Sequence, residues 1–228
     1  MKPNDLYENK DHAYFSFVRT DIAPLLPENC GNIIELGCGG GGTLAWLKNS
    51  GMARHTTGIE LCAEPASVAR SQVDQVIEGD LDCAMKQLND GHYDLVLCLD
   101  VLEHLVDPWA TVQRIYSLLR PGGSILISVP NVRHYSVLLP LLRDGSWRYQ
   151  EAGILDRSHL RFFSRDGATE LLTQNGFVIK ASADNGLKPT RRREIWKTLL
   201  AKTSWRDFCV FQFLLVAEKP AYPLTPLN

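Results

Sequence analysis

From Ile33 to Thr43 the chain reads Ile-Ile-Glu-Leu-Gly-Cys-Gly-Gly-Gly-Gly-Thr, an apolar run carrying one acid that breaks into six residues, five of them glycine. A loop without side chains between a strand and a helix lets a ligand lie directly on backbone N–H groups. Leu44, Ala45, Trp46 and Leu47 then resume an apolar helical pattern. A strand, a bare loop and a helix in that order specify the edge of an α/β sheet that holds a nucleotide-like cofactor.

The glycine spacing alone leaves two cofactors open. Gly37, Gly39 and Gly42 satisfy the dinucleotide pattern G-x-G-x-x-G, whereas Gly37, Gly39 and Gly41 satisfy the G-x-G-x-G of an S-adenosylmethionine site. Glu35 separates them, because a carboxylate at the strand end suits a cationic amino-acid moiety and repels a pyrophosphate. A second strand, Thr56 to Glu60, ends in an acid 23 residues past Gly37, near the spacing of about 20 at which such an acid binds ribose hydroxyls. A third, Gln75 to Glu78, leads to Gly79-Asp80-Leu81, where Asp80 suits an adenine amino group and Leu81 its ring. A fourth, Tyr93 to Leu99, delivers Asp100-Val101-Leu102-Glu103-His104 to the same edge.

This ordered series resembles a class I S-adenosylmethionine-dependent methyltransferase from about Tyr14 to Pro130, and Leu118-Leu119-Arg120-Pro121-Gly122-Gly123 is similar to that family as well. The resemblance implies a Rossmann-like α/β fold. In that fold a mainly parallel seven-stranded sheet carries an antiparallel C-terminal edge pair, with helices on both faces. It also implies a cofactor site of Glu35, Gly37, Gly39, Gly41, Glu60, Leu61, Asp80, Leu81, Leu99, Asp100 and Val101. Tyr14 and Arg19 on a preceding helix would reach the cofactor carboxylate. S-adenosylmethionine is the expected cofactor and S-adenosylhomocysteine its product.

The 228 residues suffice for one domain with a sizeable core, and 45% hydrophobic with 22% charged content is ordinary for a globular chain. A formal net charge of -2 gives no general attraction to nucleic acid, although Arg191-Arg192-Arg193 is a local basic cluster with a phosphate-binding reading. The six cysteines lack C-x-x-C pairing and read as reduced, small hydrophobic residues, not as a zinc site. With no apolar signal core at Met1 to Asp5, and no apolar run long enough to span a bilayer, the chain is expected to be cytoplasmic.

Tyr14 to Leu26 carries apolar residues at helical spacing and ends at Pro27. Further helices are expected at Pro65 to Val73, Cys83 to Leu88 and Pro108 to Leu119, the last capped by Asp107. Ser124 to Val129 is a fifth strand. The irregular stretch at about 131–164 reads as a substrate lid, since long insertions in compact domains are usually functional. Arg165 to Asn175 returns to helix and Gly176 stops it. Phe177 to Ala183 and Asp207 to Ala217 read as strands, separated by Pro189 and a basic helix from Arg191 to Lys202; Lys219 to Pro226 reads as a loose tail. Trp147, Trp196 and Trp205 are expected to cover either a partner copy in a homodimer or the sheet.

Methyl transfer from a sulfonium needs an aligned nucleophile and, for a hydroxyl, a group to take its proton. The candidates are His104, His134, His159, Tyr135 and Asp156. His159 comes first, because Asp156 is near enough in sequence to orient it as a general base. Asp156-x-x-His159-x-Arg161-Phe162-Phe163 resembles a stretch of methyltransferases encoded with polysaccharide-assembly enzymes, which implies a sugar hydroxyl as acceptor. Asp100, Glu103 and His104 are similar to the Glu-x-x-Glu-His cluster that binds a divalent ion in ubiquinone-biosynthesis O-methyltransferases. Asp stands here for the first Glu, and with that shorter arm no metal is expected. N- or C-methylation of a quinone or amino sugar, a non-catalytic cofactor-binding module and a nicotinamide dehydrogenase are the alternatives.

Overall fold

The computed structural model describes residues 15–27, 30–187, 196–200 and 202–222. Seven strands form one sheet: β1 (Gly31–Leu36), β2 (Ala53–Glu60), β3 (Gln75–Glu78), β4 (Tyr93–Leu99), β5 (Leu119–Pro130), β6 (Val178–Asn185) and β7 (Gln212–Glu218). Their order across the sheet is β3-β2-β1-β4-β5-β7-β6. The first five run parallel, and β7 lies antiparallel between β5 and β6. This is the Rossmann-like arrangement with the antiparallel C-terminal pair expected from the sequence.

Parallel strands joined by crossover helices bury both faces of the sheet, so the central strands read as continuous apolar runs. In β4 alternate residues serve opposite faces. Val96 and Cys98 pack with Ile34, Leu36, Ile125 and Ile127 under α3 (Leu81–Met85), α4 (Pro108–Leu118) and α6 (Arg165–Thr173). Leu95 and Leu97 pack with Ile33, Leu126 and Leu214 under α1 (Gly42–Asn49) and α2 (Ala63–Ala69). Each fully buried aliphatic side chain in these layers contributes about 1.5–3 kcal/mol relative to exposure. Asp107 caps α4 as expected, accepting from the Ala110 N–H at 3.0 Å with Pro108 at the first helical position.

Because β1 pairs with β2 on one side and β4 on the other, the chain winds outward in opposite directions from these two strands. The carboxyl ends of β1 and β4 therefore flank a crevice, the place where open α/β sheets bind ligands. Gly58 of β2 lets the glycine loop close against the sheet. A Cβ on Gly58 would stand 2.5 Å from Cys38 Sγ.

Three expectations change. The run ahead of β1 is not a helix to Leu26: its described part is irregular up to Arg19 and forms a single 3-10 turn over Thr20–Leu25, with Phe17 70% exposed. Its backbone is pinned to the glycine loop instead, since Phe15 O accepts from Gly40 N at 2.8 Å and Arg19 N donates to Thr43 Oγ1 at 3.2 Å. The last strand begins at Gln212, because Arg206–Cys209 turns tightly to present Asp207. Asp207 holds Arg165 at 2.8 Å, and its carbonyl accepts from Asn131 Nδ2 at 2.6 Å. Lys219 is anchored, with Nζ donating to the carbonyls of Tyr116 and Leu119. Tyr14, Pro189, Arg191 to Arg193 and the end of the tail lie outside the described residues.

Between β5 and α6 the segment 131–164 contains α5 (Tyr135–Asp144) and bridges back to itself through Gln150↔Asp156 and Asn131↔Phe163. Among the described residues no helix is long and apolar enough to cross a membrane. Trp147 packs edge-on against Phe162 and Trp196 against Tyr135, while Trp205 is exposed. Gly58→Ala is expected to destabilise the fold by about 1–3 kcal/mol, the cost of overpacking a filled site. Chemical denaturation reads this, and an unchanged midpoint would mean that Cys38 yields without cost.

Candidate active site

At the carboxyl edge of the sheet a cavity of about 1050 Å³ opens between the glycine loop and the ends of β2, β3 and β4. Of the expected cofactor residues, Arg19, Glu35, Gly37, Gly39, Glu60, Leu61, Asp80, Leu81, Leu99, Asp100 and Val101 all line it. Gly41 does not. It adopts φ +82 at the N-cap of α1 and turns the chain into the helix.

The loop is shaped by hydrogen bonds that its sequence permits. Gly37 N and Cys38 N both donate to Ile59 O, at 2.8 and 3.0 Å, so the loop starts locked to the end of β2. Gly39, at φ +53, donates its N–H to Glu60 Oε2 at 2.8 Å, and a Cβ there would come within 2.6 Å of Phe15 O. Glu60 Oε1 accepts from Cys62 N at 2.9 Å. The Glu60 carboxylate thus ties the loops after β1 and β2 together from the position expected for a ribose ligand. Burial raises its pKa, against the opposing pull of those two backbone N–H bonds. Asp80 caps α3 by accepting from Asp82 N at 2.9 Å while facing the same cavity.

Glu35 is 4% exposed, and its Oε2 is buried without a hydrogen-bond partner. Burial pushes its pKa up to about 8, offset in part by Arg19 and reinforced by Glu60. Arg19, itself 8% exposed, sends Nη1 to Asp100 Oδ2 at 2.6 Å and to Ser128 Oγ at 3.1 Å, while Nε and Nη2 bind Asp21. Burial opposes its charge, but Asp21, Asp100 and Glu35 together lift its pKa above the usual guanidinium value. Asp100 is the one non-glycine residue with positive φ among the described residues, at +57. Such a conformation costs on the order of 1–3 kcal/mol and needs surrounding constraints. Ser128 supplies them by accepting from Asp100 N, and Gln212 Nε2 donates to Asp100 Oδ1.

The candidate bases separate. His104 lines the cavity, while His159 is 8% exposed and packs edge-on behind it, ring centroids 4.7 Å apart. Asp156, also buried, accepts at Oδ1 from Ser158 N at 2.9 Å and Ser158 Oγ at 2.7 Å. His134 caps α5, with Nδ1 2.8 Å from Ser136 Oγ, and Tyr135 packs beside it. Phe17, Thr43, Thr111, Arg157, Ser158 and Leu160 also line the cavity. Thr43 directly follows the glycines, and Arg157, Ser158 and Leu160 fall within the stretch 156–163 singled out in the sequence, whereas Phe17 and Thr111 carry no site signal.

The divalent ion implied by the Glu-x-x-Glu-His likeness does not fit Asp100, whose two carboxylate oxygens are taken by Arg19 and Gln212. Glu103 and His104 do fit. Glu103 is 1% exposed and neither of its oxygens has a hydrogen-bond partner. Burial, and then the neighbouring Asp100, push its pKa well up.

The profile of the family described as Methyltransferase domain matches residues 10–182. The chain belongs to that family, the class I methyltransferases that use S-adenosylmethionine. Among curated proteins it is 32% identical to a ubiquinone biosynthesis O-methyltransferase of Aeromonas salmonicida over 48% of each chain. It is 37% identical to one of Xanthomonas campestris over 43% of each. The chain thus spans about half the length of the curated relatives it matches, or less. A SAM-dependent methyltransferase from Archaeoglobus fulgidus shares the fold at TM-score 0.64 and 17% identity, over 92% of this chain and 95% of that one. Haemonchus contortus phosphoethanolamine N-methyltransferase 2, solved with S-adenosyl-L-methionine, does so at TM-score 0.66 and 17% identity, over 96% and 60%.

Glu35 generates a pH dependence. A cationic cofactor beside it favours the carboxylate, so its pKa falls on binding from about 8 and a proton is released at lower pH. Affinity for S-adenosylmethionine is therefore expected to rise as pH increases toward 8 and to level off above it. In Glu35→Gln the rise disappears. Calorimetry at several pH values, in buffers of different ionisation enthalpy, measures both the affinity and the proton release; a flat wild-type profile contradicts the assignment.

Proposed function

We propose that the chain transfers the methyl group of S-adenosylmethionine to a hydroxyl of a small acceptor that enters between the β4 edge and the segment 131–164, which serves as a lid. The observation that carries this reading is the position of His104 on the wall of the same cavity that Glu35, Gly37, Gly39 and Glu60 line. In-line displacement needs the acceptor oxygen, the methyl carbon and the sulfur aligned, and a group near the oxygen to take its proton. His104 takes that role, with His159 and Asp156 behind it as positioning residues in the lid. The cofactor's adenosine lies along Glu60, Leu61, Asp80 and Leu81, and its cationic end beside Glu35.

A sugar hydroxyl is the first acceptor class to test. It is supported by the likeness of residues 156–163 to methyltransferases encoded with polysaccharide-assembly enzymes, and by Arg157 and Ser158, polar groups on the lid side of the cavity. A second reading, a ring hydroxyl on a quinone-like acceptor, is favoured by Phe17, Leu105, Val106 and Leu160 on the cavity wall and by the names of the curated relatives. Radiolabelled methyl transfer to a panel of nucleotide sugars, glycans and catechols separates the two.

With an accepted substrate, His104→Gln is expected to lower turnover by about 100-fold or more, the scale of general-base catalysis, with cofactor affinity within about threefold of wild type. Glu60→Ala should do the reverse, weakening cofactor binding on the order of tenfold or more through loss of a charge-assisted hydrogen bond. Full activity in His104→Gln would remove His104 from the reaction.

A further inference from the structure

Behind the cavity wall, one carboxylate oxygen of Glu103 and one ring nitrogen each of His104 and His159 lie within 4.8 Å of one another. They come from two segments docked by backbone hydrogen bonds: Leu160 N and Arg161 N both donate to Glu103 O, at 2.7 and 2.9 Å. His104 Nδ1 lies 3.2 Å from Ser158 O, and His159 Nδ1 lies 3.0 Å from Ile154 O. A carbonyl can only accept, so Nδ1 carries a proton in each ring, and in the neutral imidazole Nε2 is then the atom that can ligate. This is the way a backbone carbonyl orients a metal-ligating imidazole. Within reach of both rings sits the Glu103 carboxyl, sealed from solvent with both oxygens lacking hydrogen-bond partners, an expensive arrangement for a negative charge.

We propose that Glu103, His104 and His159 hold a divalent transition-metal cation beside the acceptor end of the cavity, with His159 of the lid, and not Asp100, as the third ligand. The proposal rests on the methyl-transfer reading and deepens it, since His104 then serves as a ligand in place of the general base. Two imidazoles and one carboxylate suit zinc, cobalt, nickel or ferrous iron better than magnesium or calcium, which prefer oxygen alone. Ligand atoms around a tetrahedral zinc stand roughly 3.4 Å apart, so separations of up to 4.8 Å close by at most about 1.4 Å on binding. A cation at this point would lower the pKa of a hydroxyl coordinated to its open position. Because one ligand comes from 154–161 and two from 103–104, loading also fastens the lid to the end of β4.

The test is titration of the purified, chelator-treated protein with Co²⁺ alone, followed by its visible absorption and by displacement with Zn²⁺. Binding of S-adenosylmethionine is measured calorimetrically on the same samples. About one Co²⁺ per chain is expected, with the intense bands of low coordination number. His159→Ala and the near-isosteric Glu103→Gln should each lose on the order of tenfold or more in affinity. No stoichiometric binding, or unchanged affinity in His159→Ala or in Glu103→Gln, overturns the proposal. Retained cofactor binding in those cases leaves the methyl-transfer reading standing with His104 as base. Absent cofactor binding removes that reading whatever the metal does.

Discussion

One buried cation organises the carboxylates at the edge of this sheet. Arg19 is bound through its three guanidinium nitrogens, and its charge lowers the cost of Glu35, Asp100 and Glu103 in the interior. Without it, burial and mutual repulsion in one low-dielectric crevice would push all three pKa values up further. Arg19 also ties three stretches distant in sequence to a single point, since it reaches Asp100 after β4, Ser128 on β5 and Gln212 at the start of β7. The left-handed turn at Asp100 is held by that anchorage together with Ser128 and Gln212.

Parallel topology supplies the rest. Four strand ends point one way, so residues unrelated in sequence converge on one cavity: Glu35 from β1, Glu60 from β2, Asp80 after β3 and the Asp100 to His104 turn after β4. The segment 131–164 is held to the turn after β4 by backbone bonds at Glu103 that depend on no particular side chain. Under the proposed reading the sheet builds the cofactor half of the site and this insertion the acceptor half, the place where specificity changes without disturbing the fold.

Much of this was legible in the chain. Gln75 to Glu78 and Tyr93 to Leu99 read as strands with the bounds they have in the structure, because short apolar runs bounded by Gly or Asp leave little freedom. Strand-end acids were legible for the same reason. The preceding helix was not: its apolar spacing is helical, but tertiary bonds from Phe15 and Arg19 to the glycine loop outweigh that preference. Nor could spacing show that His159 packs behind His104, or that Ser128 and Gln212 fix Asp100. Those pairings cross 28 to 112 residues and exist only once the strands are laid side by side.

The central claim is that this cavity is built for a cationic nucleoside and not for a pyrophosphate. Parallel calorimetric titrations of the purified chain with S-adenosylmethionine, S-adenosylhomocysteine and NAD test it most directly. The account predicts micromolar binding of the first two and none of the third; binding of NAD alone would contradict it.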